Sequence, residues 1–263
     1  MDTQTIKLSV ALAVYNEEDN LGKCLETIKS IAGEIVIVDG QSTDKTVEIA
    51  AKFGAKVVVE ENRPNFHINK QHAIDACQGD WILQLDADER VSTMLQGEII
   101  TIVTSDPAGM ADAYYLKRRN YYLGRWMNKG GMYPDPVIRL FKKGKAHLPQ
   151  ASVHELMTVD GTTKWLQNDL LHIADPNFSR YLLRSNRYTT LQAQEWLKTG
   201  TIGTAWGSII LYIILKPLVR FLEIYIRHKG FMDGFPGFVF AWYSGLHIAS
   251  SYVKYWEKKT LKV

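Results

Sequence analysis

The chain has 263 residues, 46% of them hydrophobic, and a formal net charge of +3; this suits one large domain or a domain with an appendage and argues against a nucleic-acid binder. Its two cysteines, Cys24 and Cys77, fall in helix-like segments and exclude a disulfide framework or a CxxC metal motif, so a reducing, cytosolic compartment is expected. The charge is uneven: residues 1–197 carry 22 basic and 25 acidic side chains, whereas 198–263 carry 9 and 3, an acidic body with a basic tail.

The N-terminus, MDTQTIKLSV, lacks the basic and long apolar regions of a signal peptide and enters a strand almost at once. Strand-like and helix-like patterns then alternate: IKLSVALAV, DNLGKCLETIKSI, EIVIVD, TDKTVEIAAKF, AKVVVE, a helix over 67–78, and WILQLD. The strands are nearly continuous apolar runs, as expected when helices cover both faces of a parallel sheet. Ligands of such sheets sit beyond the carboxyl ends of the strands. At those ends stand YNEE (15–18), DGQSTD (39–44), ENRP (61–64) and DADE (86–89).

DADE carries the sharpest signal. If it continues the strand, Asp86 and Asp88 project from one face with Cα atoms roughly 6.5 Å apart. Such a pair suits a hard divalent cation that also takes phosphate oxygens. The plainer reading is that the acids end a strand, with Ser92 capping the next helix. No GxGxxG follows the first strand and no GxxxxGK[ST] occurs, so neither a dinucleotide fingerprint nor a P-loop is present to cradle phosphates. A metal on Asp88 and a cation such as Lys70 would have to neutralise them.

After residue 110 the alternation stops. AYYLKRRNYYLGRW and PVIRLFKK read as β-structure extending the sheet. Tyr121, Tyr122 and Trp126 are either sugar-stacking rings or hairpin core. Arg118, Arg119 and Arg125 either meet anionic groups or form a solvated face. In LYIILKPLVRFLEIYIRHK, Lys216, Arg220, Glu223 and Arg227 make one polar stripe on an apolar helix, with Pro217 opening a second helix; Ser244, His247, Ser251 and Lys254 repeat the device. The apolar runs fall far short of the ~20 residues a span needs. Such faces suit an anionic membrane interface, and packing or a homo-oligomer interface is the alternative.

VALAVYNEEDNL, EIVIVDGQSTDKT and WILQLDADERVS, in this order and spacing, resemble the GT-A fold family 2 glycosyltransferases. SVHE, LLHIADP, NRYTTLQAQ and KGFMDGFPGFVFA are similar to the WaaE-like branch, β-1,4-glucosyltransferases that add a hexose to the lipopolysaccharide inner core. The resemblance covers almost the whole chain. It implies an α/β GT-A fold, a mostly parallel nucleotide-binding sheet flanked by helices with a C-terminal amphipathic helical extension. The catalytic domain would occupy 1–175, its nucleotide-sugar half ending near 110, and a membrane-associating helical region 176–263. It implies that Tyr15, Asn16, Glu17 and Asp39 hold the uracil and ribose of a UDP-sugar, that Asp86 approaches the ribose, and that Asp88 takes the Mg²⁺ or Mn²⁺ bridging the diphosphate. Asp39 has an alternative as an Asx-turn residue opening its loop. Lys70 stands where the family carries Arg or Lys before Asn, although Gln71 follows here, and solvated helix surface is its alternative.

An inverting transfer needs a base within hydrogen-bond reach of the acceptor hydroxyl. His154 and Glu155 of SVHE stand where the resemblance places it; Glu155 is favoured, with His154 and Asp135 as alternatives. His172 of LLHIADP either completes the metal shell or is a satisfied core histidine. The expected function is therefore metal-dependent hexosyl transfer from a UDP-sugar to a lipid-linked saccharide such as lipopolysaccharide inner core, peripherally at the inner face of the cytoplasmic membrane. The competing class is a non-catalytic nucleotide-sugar-binding or membrane-scaffold protein.

Overall fold

Strands β1 (Leu8–Val14), β2 (Glu34–Asp39), β3 (Lys56–Val59) and β4 (Trp81–Leu85) form in the four apolar runs of the first ninety residues and pair in parallel in the order β3-β2-β1-β4. Helices α1 (Leu21–Glu26), α2 (Thr46–Lys52) and α3 (Phe66–Asp75) connect them. Leu8, Val10 and Leu12 of β1 pack with Leu21 and Leu25 of α1 on one face, while Ala11 packs with Ala73 and Ile74 of α3 on the other. Two-sided burial is why these strands read as unbroken apolar runs, and β4 is buried at every position. The computed structural model describes residues 7–105, 109–149 and 156–261.

The chain continues through β5 (Glu89–Val91), α4 (Thr93–Thr104), β6 (Ala113–Tyr122), β7 (Arg125–Trp126), β8 (Asp135–Lys142), β9 (Ala146–His147), β10 (Thr158–Val159), β11 (Thr163–Trp165) and β12 (Leu170–Asp175). The large sheet runs β3-β2-β1-β4-β8-β6-β12-β5, with β7 and β11 paired to β6. Beyond β4 the pairings of β8 with β4 and β6, and of β12 with β5, are antiparallel. The parallel expectation thus describes the β3-β2-β1-β4 half, and the sheet as a whole is mixed, with β11 again parallel to β6.

The helices α5 (Phe178–Thr199), α6 (Trp206–Ile210), α7 (Lys216–Leu222) and α8 (Gly234–Leu261) complete the chain, with π-helical turns at Leu211–Leu215 and Glu223–Arg227 and a 3₁₀ turn at Gly230–Asp233. Pro217 sits in the first turn of α7, which directly follows the π-helical turn Leu211–Leu215. Two compact units result: Met1–Arg118 with Asp135–His172, and Arg119–Pro134 with Ile173–Val263. The sequence pattern had suggested one boundary at 175; the observed one follows His172, and the second unit also takes Arg119–Pro134. In that unit Tyr122 is core, packed edge-on against Tyr181 and Phe240, while Arg119 lies over the Trp126 ring at 4.5 Å.

Candidate active site

The loops leaving β1 and β2 are stitched together by backbone and side-chain bonds. Asn16, at φ 51°, donates its backbone N–H to Ser42 Oγ (2.8 Å) and accepts from Thr43 N through Oδ1 (2.8 Å). Glu17 N donates to Thr46 Oγ1 (2.8 Å), and the Glu17 carboxylate accepts from Asn20 Nδ2 (2.7 Å). Asn16 and Glu17 therefore brace the loop, and the neighbouring Tyr15 is half-exposed. Asp39 ends β2 almost fully buried. Its Oδ2 accepts from the backbone N–H of Ser42, three residues on (2.9 Å), which braces the loop, while Oδ1 has no hydrogen-bond partner among the described residues. A buried orphan acceptor is costly; it is what an incoming donor such as a ribose hydroxyl would satisfy.

Asp86 and Asp88 do not lie on a strand. β4 ends at Leu85, and the chain turns, with Glu89 N donating to Asp86 O (3.0 Å) before β5 begins. The plainer reading of Ser92 also holds: its Oγ caps α4 by accepting from Leu95 N. Within the turn the two acids have different surroundings. Asp86 is ion-paired with Lys70 of α3 and with Arg139 Nη2 of β8 at 2.7 Å. Burial opposes ionisation of Asp86, but Arg139, Lys70 and Arg118 outweigh it and hold the carboxyl well below the usual carboxylate range. Lys70 is thus neither solvated surface nor a spare cation.

Asp88 faces His172 of β12, with Oδ2 3.6 Å from Nε2. Burial raises the Asp88 carboxyl, and the neighbouring His172 more than compensates, leaving it below its ordinary value. Sheet register produces this meeting, since His172 pairs with Glu89, next to Asp88 in the chain. The pair offers one carboxylate and one imidazole on converging elements. No cluster of three or more potential metal-ligating side chains exists among the described residues. Asp88 and His172 offer two donors, so a cation held there would take its remaining ligands from diphosphate oxygens and water.

Arg139 and Glu89 are the residues that sequence reasoning missed. Glu89 is fully buried; its carboxylate accepts from Asp86 N (2.9 Å) and from Arg139 Nη2 (2.8 Å). Arg118 joins this network, 2.7 Å from Asp135 and 3.7 Å from Glu89, so it is not a solvated face. The available signal for Arg139 was a charged residue inside the apolar run VIRLF, and for Glu89 an acid shortly after the apolar WILQL strand. Glu155 and His154 lie outside the described residues. The chain just before them is held to α3: Leu148 N donates to Gln71 Oε1 (2.7 Å) and His67 Nδ1 to Pro149 O (3.1 Å). Gln71, the departure from the family pattern, thus has a structural task.

The profile of Glycosyl transferase family 2 matches residues 9–172. The chain belongs to this family. The matched span ends at the histidine that faces Asp88. This family 2 glycosyltransferase is 26% identical over 264 residues to the lipopolysaccharide core biosynthesis glycosyltransferase LpsC of Rhizobium meliloti, covering 98% of this chain and 94% of LpsC. It is 28% identical to an uncharacterized glycosyltransferase of Rickettsia typhi, covering 89% and 81%. Its fold is similar to that of the mannosyltransferase PcManGT from Pyrobaculum calidifontis, solved in complex with GDP-Man and Mn²⁺, with a TM-score of 0.54, 14% identity, and 97% and 89% of the two chains covered. The α/β architecture of this glycosyltransferase is accordingly that of a GT-A enzyme.

Proposed function

We propose that this enzyme transfers a hexose, glucose in the first instance, from a UDP-sugar to a lipid-linked saccharide of the lipopolysaccharide core type, with inversion at the anomeric carbon. The observation that carries the reading is the division of labour in the DAD turn: Asp86 is consumed by Lys70 and Arg139, whereas Asp88 is left facing His172. Asp88 and His172 would hold the divalent cation, Mn²⁺ in preference to Mg²⁺ because an imidazole ligand suits a transition ion better than a hard one. When bound, the cation stabilises charge on the departing diphosphate. Asp39 Oδ1 accepts from the nucleoside, and Tyr15 offers a ring face to the base. Lys70 and Arg139 keep Asp86 ionised and fixed. Glu155 takes the proton of the acceptor hydroxyl as it attacks opposite the leaving group. The ties from α3 to Leu148 and Pro149 support this role, because they bind the chain preceding SVHE to the helix that carries Lys70.

The core-type acceptor is supported by the end-to-end likeness to LpsC. Such an acceptor is membrane-bound, which sets the enzyme at the cytoplasmic membrane face. The test is UDP release by purified protein with a panel of UDP-sugars and GDP-mannose, using core oligosaccharide as acceptor and NMR for product configuration. A β-linked product formed from a UDP-hexose in the presence of Mn²⁺ is expected. Turnover of GDP-mannose alone, or an α-linked product, overturns the assignment.

A further inference from the structure

The helical stretch from 206 to 227 is apolar on two sides. Its inner side is used: Tyr212 and Ile213 pack with the buried Tyr252 and Tyr255 of α8, and Ile224 is buried. Its outer side carries Leu211, Ile214, Leu215, Leu218, Leu222 and Ile226, at steps of three, one, three, four and four, each 39–57% exposed. That spacing makes one continuous ridge along the helix. An exposed helix face is ordinarily polar, and helices apolar all round are ordinarily covered. This one is uncovered.

The neighbouring α8 extends the surface. Phe235, Phe238 and Trp242, at steps of three and four, are 73%, 39% and 47% exposed. Phe221 of α7 joins the two faces, with its ring centroid 5.9 Å from Phe238 and 5.7 Å from Trp242. The helices pack at backbone distance: a Cβ on Gly245 would lie 2.6 Å from the Pro217 carbonyl oxygen. The ridge is therefore held rigidly beside the aromatic strip. Cations edge it. Lys216 lies over the Tyr212 ring at 3.8 Å, and Arg220, Arg227 and Lys229 are exposed, Arg220 being bonded to Glu223 at 2.8 Å. Between 198 and 263, 9 basic side chains oppose 3 acidic ones.

We infer that this two-helix surface docks onto an anionic bilayer, with the leucine and isoleucine ridge and the Phe235–Phe238–Trp242 strip entering the acyl boundary and Lys216, Arg220, Arg227 and Lys229 meeting the headgroups. Exposed contiguous apolar surface of this extent marks an interaction site. A ridge with aromatic flanks and a basic margin matches the chemistry of a membrane interface, where rings sit at headgroup level and each basic side chain is drawn to anionic lipid. No helix among the described residues is long and apolar enough to cross a membrane, so the contact is lateral. A second copy of the chain would meet the same basic margin with like charge, which disfavours it as the occupant. The inference rests on the lipid-linked acceptor proposed above for its purpose, and its test is independent of catalysis.

The experiment compares flotation of the full chain and the Leu218→Glu, Leu222→Glu double variant with vesicles of phosphatidylethanolamine and phosphatidylglycerol, without donor or acceptor, and with phosphatidylcholine vesicles as control. Both positions are exposed, so the variant should keep the wild-type melting temperature and its turnover of a delipidated saccharide. The expected result is wild-type binding to the anionic vesicles, a tenfold or greater loss in the variant, and weakening but not abolition by salt. Equal flotation of the two proteins, or no wild-type flotation, overturns the inference even if turnover is normal. So does a wild-type dimer that the variant converts to monomer without any vesicle binding. Absence of wild-type turnover, with flotation lost only in the variant, instead overturns the proposed function and leaves the docking surface standing.

Discussion

Arg139 Nη2 lies 2.8 Å from Glu89 Oε1, and the same nitrogen is 2.7 Å from Asp86 Oδ2. One guanidinium thus ties the middle of β8 to the start of β5 and to the DAD turn, with Glu89 fully buried. Removing the cation leaves two carboxylates close together without their main partner. Arg139→Met should therefore destabilise the protein by about 3–5 kcal/mol, read by urea unfolding. The pH dependence follows from Asp86, whose folded carboxyl is held well below its unfolded value of roughly 3.9. Its contribution is present above that value and is lost as pH falls through the folded one. Asp86→Asn should accordingly flatten the loss of stability below about pH 4; an unchanged acid limb would remove Asp86 from the linkage.

Asp88→Asn should lower kcat by roughly 10²–10⁴, or about 3–5 kcal/mol of barrier, because the amide is a poor ligand for a divalent cation. His172→Ala should weaken Mn²⁺ binding in the presence of UDP by roughly 10–100-fold, followed by electron paramagnetic resonance independently of turnover. Full activity in EDTA would remove the metal from the proposal.

Glu155→Gln preserves shape and removes the proton acceptor. A fall in kcat of roughly 10²–10⁴ is expected with calorimetric donor affinity nearly unchanged. Normal turnover in this variant would move the role to His154 or Asp135, the latter bonded to Arg118 at 2.7 Å.

Two glycines should respond in opposite senses. Gly237→Ala sets a Cβ 2.0 Å from the Gly230 carbonyl oxygen and 3.0 Å from Asp233 Cβ, so the melting temperature should fall, with overpacking costing about 1–3 kcal/mol. Gly97 lies exposed inside α4 with nothing within 4 Å of an added Cβ. Gly97→Ala should stabilise by about 0.5–1 kcal/mol through helix propensity, read in the same thermal scan.

Local pattern was sufficient for the parallel half of the fold. Leu8–Val14, Glu34–Asp39 and Trp81–Leu85 are apolar on both alternating faces, which only a doubly covered strand satisfies, and polar loops follow each of them. The same reasoning misjudged the geometry at 86–88, since alternation along a strand says nothing about where the strand ends. The family motifs singled out Asp39, Asp88 and His172 but said nothing of what each would face. Those pairings depend on sheet register between segments far apart in the chain: Arg139 reaches Asp86 across 53 residues, and His172 reaches Asp88 because β12 lies antiparallel to β5. Periodicity likewise showed that the stretch from 206 to 227 has apolar faces. Which face is buried was decided only by the seating of Tyr212, Ile213 and Ile224 inward, which turned Leu218, Leu222 and Ile226 outward. A helical period records which residues share a side, whereas the side that meets protein is selected by the shape and chemistry of a partner element that lies elsewhere in the chain.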